Sequence, residues 1–375
     1  MGKVAKLIVF IPKETLENET RVSATPDTIK ALIQCGVDVV VEKGAGNSSS
    51  ISDDDFKKSG AEINEKFFHD ADIIISVNPL TNPQINTIKE SCVCVSFLDI
   101  FSTHEIISAA AEKRITYFSM NLIPRISRAQ KMDALSSQTN IAGYKAVIMA
   151  ANELPKIFPL MMTAAGTLHP AKVVVLGVGV AGLQAIATAK RLGAVVEASD
   201  VRPSVKEQVL SLGAKFIEVP FDKDSESKDG YANGASEKFL KKQAEEVSKR
   251  IAAADIVICT ALVPGKKAPV LISKEMVKSM KSGSVIVDMA AVQGGNCELT
   301  ETDKISTHHG VKIIGVTNIA ATVPVHSTQM YSKNILEFLQ CIISAGKLNI
   351  DLKDEIISAA IVTHDGKIKN EKALK

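Results

Sequence analysis

The sequence has no tryptophan, and aromatic residues make up only 4% of it. That leaves little from which to build a base-stacking platform or the aromatic belts of a membrane protein. Charge of one sign is also scarce: 44 Lys+Arg stand against 42 Asp+Glu, a net charge of +2. This balance argues against nucleic acid as the main partner, because neutralising phosphates takes a basic surplus or a dense basic patch. The six cysteines include no C-x-x-C pair, so neither a zinc site nor a disulfide framework is expected, and a reducing cytosol fits. Long hydrophobic runs are missing too. The run Leu7–Ile11 ends at Lys13 and Glu14, too short for a signal peptide. The uncharged stretch between Lys172 and Lys190 is short and glycine-rich, unlike a span of about 20 apolar residues. No G-x-S-x-G elbow, Ser-His-Asp order or His-x-x-x-His pair occurs. His308 and His309 fall in an expected loop.

What is present is an ordinary globular composition, 46% apolar and 23% charged over 375 residues. At roughly 150 residues per domain this allows two to three domains. Short β-branched runs alternate with helical patterns in two series. The first runs from Leu7–Ile11 through Val37–Glu42, Asp72–Val77 and Cys92–Phe97 to Ile115–Phe118. The second starts at Val173–Leu176 and continues through Val195–Ala198, Lys215–Glu218, Ile256–Thr260 and Ser284–Asp288 to Lys312–Thr317. The fold class is α/β, two doubly wound parallel-sheet, Rossmann-like domains with a cleft between them. A helix over Ser136–Glu153 leads from one to the other, a long helix His326–Ala345 returns, and Ile357–Lys369 reads as a hairpin around Asp365-Gly366. The expected division is 1–136 plus 326–375 for the first domain and 137–325 for the second. The polar stretch Asp222–Gly234 is expected to be a mobile loop.

The sharpest motif is Gly177-Val-Gly179-Val180-Ala-Gly182, directly after the apolar run Val173–Leu176. Gly177 permits a tight turn, Gly179 lets a pyrophosphate approach the N–H groups at a helix start, and Gly182 allows close helix–sheet packing. Asp200, 23 residues after Gly177, stands at the end of the next strand, where a carboxylate accepts from an adenosine ribose. Its charge favours NAD over NADP, whereas Arg202 nearby is of the type that accommodates a 2′-phosphate.

A second stretch, Pro124-Arg125-Ile126-Ser127-Arg128-Ala-Gln130-Lys-Met-Asp133-Ala-Leu-Ser136-Ser137-Gln138, is dense in hydrogen-bonding groups and lies where the first sheet ends. Arg125, Gln130, Asp133 and Ser136 have the chemistry to hold a carboxamide and a ribose. The alternative is a solvated turn with Ser136 or Ser137 as helix N-cap. The absence of an evident proton-transfer residue disfavours a dehydrogenase acting on a hydroxyl or amine. It is neutral for hydride transfer between two nicotinamides, which needs alignment rather than an acid or base.

These residues resemble the NAD(H)-binding domain of proton-translocating nicotinamide nucleotide transhydrogenases. The likeness runs over nearly the whole chain, through Ile11-Pro-Lys-Glu14, Glu19-Thr-Arg21-Val, Glu42-Lys-Gly-Ala-Gly46, Pro124–Gln130, Gly177–Ala194, Ser199-Asp-Val201-Arg202, Thr260–Gly265 and Gly294–Cys297. The resemblance implies that Arg125, Ile126, Ser127, Gln130, Asp133 and Ser136 hold the nicotinamide and its ribose. It assigns the pyrophosphate and adenosine to Gly177, Gly179, Gly182, Asp200, Val201 and Arg202. A loop with Gly230 and Tyr231 would close over the nucleotide, and Val180, Gln243 and Leu262 would line the site. It further implies a homodimer binding NAD(H), docked on a beta subunit that holds NADP(H), with a separate membrane-spanning subunit carrying protons. The chain would then be cytoplasmic, peripheral on the inner face of the cytoplasmic membrane through those partners. Alone it would bind NADH and catalyse nothing.

The related alanine dehydrogenases use a Lys, a His and an Asp for substrate binding and proton transfer. Asn78, Asp99 and Val292 stand at or beside those places here, while Arg21 is retained. Thr322 stands where transhydrogenases carry an Arg, and the wording around it is closer to the alanine dehydrogenases.

Overall fold

The computed structural model describes residues 6–65, 67–218, 237–263, 265–370 and 373, with backbone alone at 237–241 and 243. The chain forms two compact units, 1–138 with 320–375, and 139–319.

In the first unit, strands β1 (Ile8–Ile11), β2 (Asp38–Glu42), β3 (Glu62–Asn64), β4 (Ile73–Ile75), β5 (Val93–Ser96) and β6 (Thr116–Ser119) pair in the order β3-β2-β1-β4-β5-β6, all parallel. Antiparallel strands Ile361–His364 and Lys367–Ile368 extend the β6 edge. Ile73, Ile74 and Ile75 are all buried although their side chains alternate between faces. Helices therefore cover both sides, which is why the strands read as continuous apolar runs rather than alternating ones. The Pro26–Gln34 helix starts as its sequence dictates: Thr25 and Thr28 form a reciprocal cap and Pro26 occupies the first turn.

In the second unit the hairpin β7 (Met161–Thr163) and β8 (Gly166–Leu168) precedes a seven-stranded sheet. Its strands are β9 (Lys172–Leu176), β10 (Val195–Ser199), β11 (Lys215–Phe216), β12 (Ile256–Cys259), β13 (Val285–Asp288), β14 (Ile305–His308) and β15 (Val311–Ile314), in the order β11-β10-β9-β12-β13-β15-β14. Only β14 runs antiparallel among them. Both sheets thus reverse their strand order beside the first strand, between β1 and β4 and between β9 and β12. In doubly wound folds that reversal is where loops part and ligands bind. The fold is the expected α/β class.

Several boundaries differ from the sequence reading. His308 ends strand β14 rather than lying in a loop, and only His309 is in the turn. The expected hairpin from Ile357 begins at Ile361, because Glu355–Ala360 is a helix capped by Asp354. The long helix is Pro324–Ile342, started by its proline and followed by the short hairpin Ile343-Ser344/Lys347-Leu348. The helix after the glycine turn begins at Val180 with Gly179 as its cap. The expected helix Ser204–Leu212 opens with a 3-10 turn, Pro203–Val205, before Lys206–Ser211.

Among the described residues, no helix is long and apolar enough to cross a membrane, and no group of three or more His, Cys, Asp or Glu side chains is arranged to hold a metal ion.

Candidate functional site

Strand β9 ends at Leu176 and the chain turns at Gly177, whose φ of 92° is left-handed backbone suited to glycine. Thr260, just past β12, fixes that turn from the other side of the strand-order reversal: its hydroxyl donates to the Gly177 carbonyl at 2.9 Å. Gly182 lies against the same carbonyl, and a Cβ there would sit 2.0 Å from the Gly177 oxygen. Gly179 is different, since a Cβ built on it meets nothing within 4 Å. As N-cap of the Val180–Arg191 helix it supplies no side-chain cap, so the first-turn N–H groups are left for an anion. Val180, Val201 and Leu262 near the turn are exposed apolar residues, at 39%, 42% and 42%. An open backbone cradle, a helix start and apolar flanks match what a dinucleotide's pyrophosphate and flanking rings require.

Asp200 follows β10, and its carboxylate is already engaged. Oδ2 accepts from the Val178 N–H at 2.7 Å, and Oδ1 from the Arg202 N–H at 2.8 Å. The Arg202 guanidinium adds two bonds, 2.9 Å to Oδ1 and 3.0 Å to Oδ2. Burial alone would raise the Asp200 pKa. The hydrogen bonds from Arg202 and Val178 outweigh it and hold the carboxyl below its usual range.

In the first unit, Arg125 precedes the 3-10 helix Ser127–Met132, which Asp133 links to the Ala134–Glu153 helix. Ser127 and Gln130 are exposed, as is Arg125, while Ile126 packs on the core. Asp133, not Ser136 or Ser137, is the cap residue. Its Oδ1 accepts from the Ser136 N–H at 2.8 Å and its Oδ2 from the Ser136 hydroxyl at 2.6 Å. The helix starts two residues earlier than expected, which puts Ser136 at the third helical position, where its N–H needs an acceptor. Gly230 and Tyr231 lie outside the described residues, as does the expected mobile loop. Gln243 falls on the Glu237–Ala253 helix, with its side chain outside the described atoms.

The strand reversal of the first unit is filled by its own side chains. Glu14, following β1, accepts from the Val77 N–H at 2.5 Å and the Asn78 amide at 3.0 Å, just past β4. The same Asn78 amide donates to Glu19 at 2.9 Å. Arg21 grips both Glu19 oxygens, Nε at 2.8 Å and Nη2 at 2.7 Å, and its Nη1 donates to Gln138 at 2.9 Å. Burial, together with the nearby Glu19 charge and against the hydrogen bonds it accepts, pushes the Glu14 carboxyl up to about 7. Burial works on Glu19 too, but the Arg21 bonds and charge bring it down to about 2.

Three supports were not singled out from the sequence as individual residues. They are Thr260, the fully buried Asn296, and Asp288. The Asn296 amide donates to the Ala261 and Pro269 carbonyls, both at 2.8 Å, and its oxygen accepts from the Ala261 N–H at 3.0 Å. Asp288, also buried, takes the Cys297 N–H at 2.9 Å and the Thr300 hydroxyl at 2.6 Å. The signal was a polar residue closing an apolar strand at Thr260 and Asp288, and the Gly-Gly-Asn run at Asn296.

The family described as "Alanine dehydrogenase/PNT, N-terminal domain" matches residues 10–142, and "Alanine dehydrogenase/PNT, C-terminal domain" matches residues 146–371. The chain is 48% identical over 372 residues to the first of the polypeptides that make up NAD(P) transhydrogenase subunit alpha in Rhodospirillum rubrum, covering 96% of this chain and 97% of that one. It is 29% identical to the alanine dehydrogenase of Methanococcus maripaludis, over 98% and 96% of the two chains. The crystal structure of transhydrogenase from Sinorhizobium meliloti superposes with a TM-score of 0.88 at 45% identity, covering 96% of this chain and 99% of that one. With the glycine turn and both sheets in place, the chain belongs to the alanine dehydrogenase/PNT family, among the NAD(P) transhydrogenase alpha subunits.

Proposed function

We propose that the chain is the NAD(H)-binding component of a proton-translocating transhydrogenase, exchanging hydride reversibly between NAD(H) on this chain and NADP(H) on a partner beta subunit. The observation that carries this reading is the open Gly177–Gly182 cradle with Asp200 beside it, in a chain of this family. NADH, when bound, supplies the hydride from its nicotinamide ring. The N–H groups at the Val180–Arg191 helix start hold the pyrophosphate, and Asp200 accepts from the adenosine ribose. Arg125, Gln130, Asp133 and Ser136 hold the nicotinamide carboxamide and ribose so that the ring is presented at a fixed angle. Gly230 and Tyr231 close over the nucleotide. No residue is asked to move a proton, because hydride passes directly between the rings.

The rival amino-acid dehydrogenase reading requires Arg21 to receive a substrate carboxylate. Its guanidinium is spent on Glu19 and Gln138, and the Asn78 amide on Glu14 and Glu19.

The chain works as a homodimer at the cytoplasmic face of the membrane, held there by its partners, with protons carried by the membrane-spanning subunit. The β7–β8 hairpin supports the dimer. Every residue in it is exposed, with Met162 at 75%, and a lone two-stranded hairpin is marginal in water. Nucleotide titration of the isolated chain tests the reading. NADH should bind, NADPH should bind far more weakly, and pyruvate with ammonium should produce no NADH oxidation. Oxidation under those conditions would establish the dehydrogenase instead.

A further inference from the structure

The segment proposed to face the nicotinamide is tied down by residues outside its own motif. Asn334, on the Pro324–Ile342 helix and only 8% exposed, uses both ends of its amide. Nδ2 donates to the Lys131 carbonyl at 2.7 Å, and Oδ1 accepts from the Ser137 hydroxyl at 2.6 Å. The two bonds straddle Asp133, the corner between the 3-10 helix and the helix it caps. Three residues on, Glu337 pairs with the Lys131 ammonium at 3.6 Å, and Asp354 takes Arg128 at 2.7 Å. The Arg125 and Gln130 side chains, by contrast, make no hydrogen bond or ion pair with the described residues and are exposed.

Asparagine is a poor choice for a helix interior, and a buried amide is tolerated only when its donors and acceptor are met. An apolar residue at 334 would fill the same space but leave the Lys131 carbonyl and the Ser137 hydroxyl without this partner. We infer that Asn334 is a positioning residue for hydride transfer, joining Lys131 to Ser137 so that the Arg125–Ser136 segment keeps one conformation. This rests on the assignment of that segment to the nicotinamide.

The test uses the full chain with NADH and the NADP(H)-binding domain of a bacterial transhydrogenase, in single turnover, with amide hydrogen exchange read on the same samples. Asn334→Ala should slow hydride transfer about tenfold or more, because small misplacements of a reacting group are costly. Its NADH affinity should change less than about threefold, and exchange at the amides of Asp133, Ser136 and Ser137 should rise. Ser137→Ala should slow transfer less, and adding it to Asn334→Ala should cost nothing further, since the two share one bond.

Ser332→Ala is the control. It removes a buried hydroxyl from the same helix, one that faces Thr25 and the Gln329 carbonyl instead, and it should leave rate and exchange unchanged. Should Asn334→Ala fail to fold, Asn334→Asp keeps the shape and the acceptor for Ser137 but loses the donor to Lys131, and should also slow transfer. A wild-type rate in Asn334→Ala, or rate and affinity falling together with thermal stability as in any loosened variant, would overturn the inference. If the wild-type chain transfers no hydride with any partner, the proposed function fails. Unchanged exchange in Asn334→Ala would then overturn the holding role, and raised exchange would keep it.

Discussion

Arg202 closes on Asp200 through two side-by-side bonds, Nε to Oδ1 at 2.9 Å and Nη2 to Oδ2 at 3.0 Å, while Nη2 also reaches the Val178 carbonyl at 3.3 Å. This fork-on-fork geometry commits the guanidinium to its own neighbour rather than to an incoming phosphate. Asp200→Asn keeps an oxygen for the Val178 N–H but loosens Arg202. NADH affinity should fall about tenfold and NADPH affinity should rise, since a hydrogen bond to a charged group is worth roughly 1.5–3 kcal/mol. Fluorescence titration with both nucleotides checks this. An unchanged NADH-to-NADPH ratio would remove Asp200 from coenzyme choice.

Gly179 and Gly182 should respond oppositely to the same methyl group. Gly179→Ala points into open space, so its melting temperature should stay near wild type while NADH binding is lost, the methyl standing where the pyrophosphate approaches. Gly182→Ala drives a Cβ into the Gly177 carbonyl and should destabilise the second unit by about 1–3 kcal/mol. Thermal melts beside NADH titrations separate the two, and equal melting temperatures with equal affinities would contradict the cradle.

How far this could be read from the sequence depends on how local each feature is. The glycine turn was legible because its constraints lie within six residues of an apolar strand. Asp133 as cap was not, because Asp133, Ser136 and Ser137 all have cap chemistry and the periodic pattern leaves the helix start loose by a turn. Thr260 and Asn334 act on partners 83 and 203 residues away, and nothing local marks which buried polar residue will find which carbonyl. Strand β14 and the β7–β8 hairpin escaped because runs of three or four residues carry too little alternation to register.

The carboxyl pair in the first unit sets opposite pH dependences. Folded Glu14 holds its proton up to about 7, whereas the unfolded chain releases it near the ordinary 4.5. Folding therefore takes up a proton between those values, and the stability contribution of Glu14 declines as pH rises across that window, by about 3 kcal/mol in all. Glu19 does the reverse: its contribution is present above pH 4.5 and is lost as pH falls toward about 2. Glu14→Gln, which keeps an acceptor for the Val77 N–H, should raise the melting temperature at pH 8 and bring no gain at pH 4. The same offset at both pH values would show that Glu14 does not titrate in this range.

Arg125→Ala should slow hydride transfer at least tenfold while weakening NADH binding only a few-fold, because an exposed guanidinium at the nicotinamide end orients the ring more than it anchors the dinucleotide. Stopped-flow rates beside equilibrium titration decide this, and equal losses in both would count against an orienting role.

The most direct measurement is reconstitution. The purified chain is mixed with the NADP(H)-binding domain of a bacterial transhydrogenase, and NADPH-dependent reduction of an NAD⁺ analogue is followed. The account predicts rapid turnover that requires both proteins and collapses in Gly179→Ala. Failure to turn over with this and with the cognate partner, while NADH still binds, would contradict it and leave a nucleotide-binding protein that transfers no hydride.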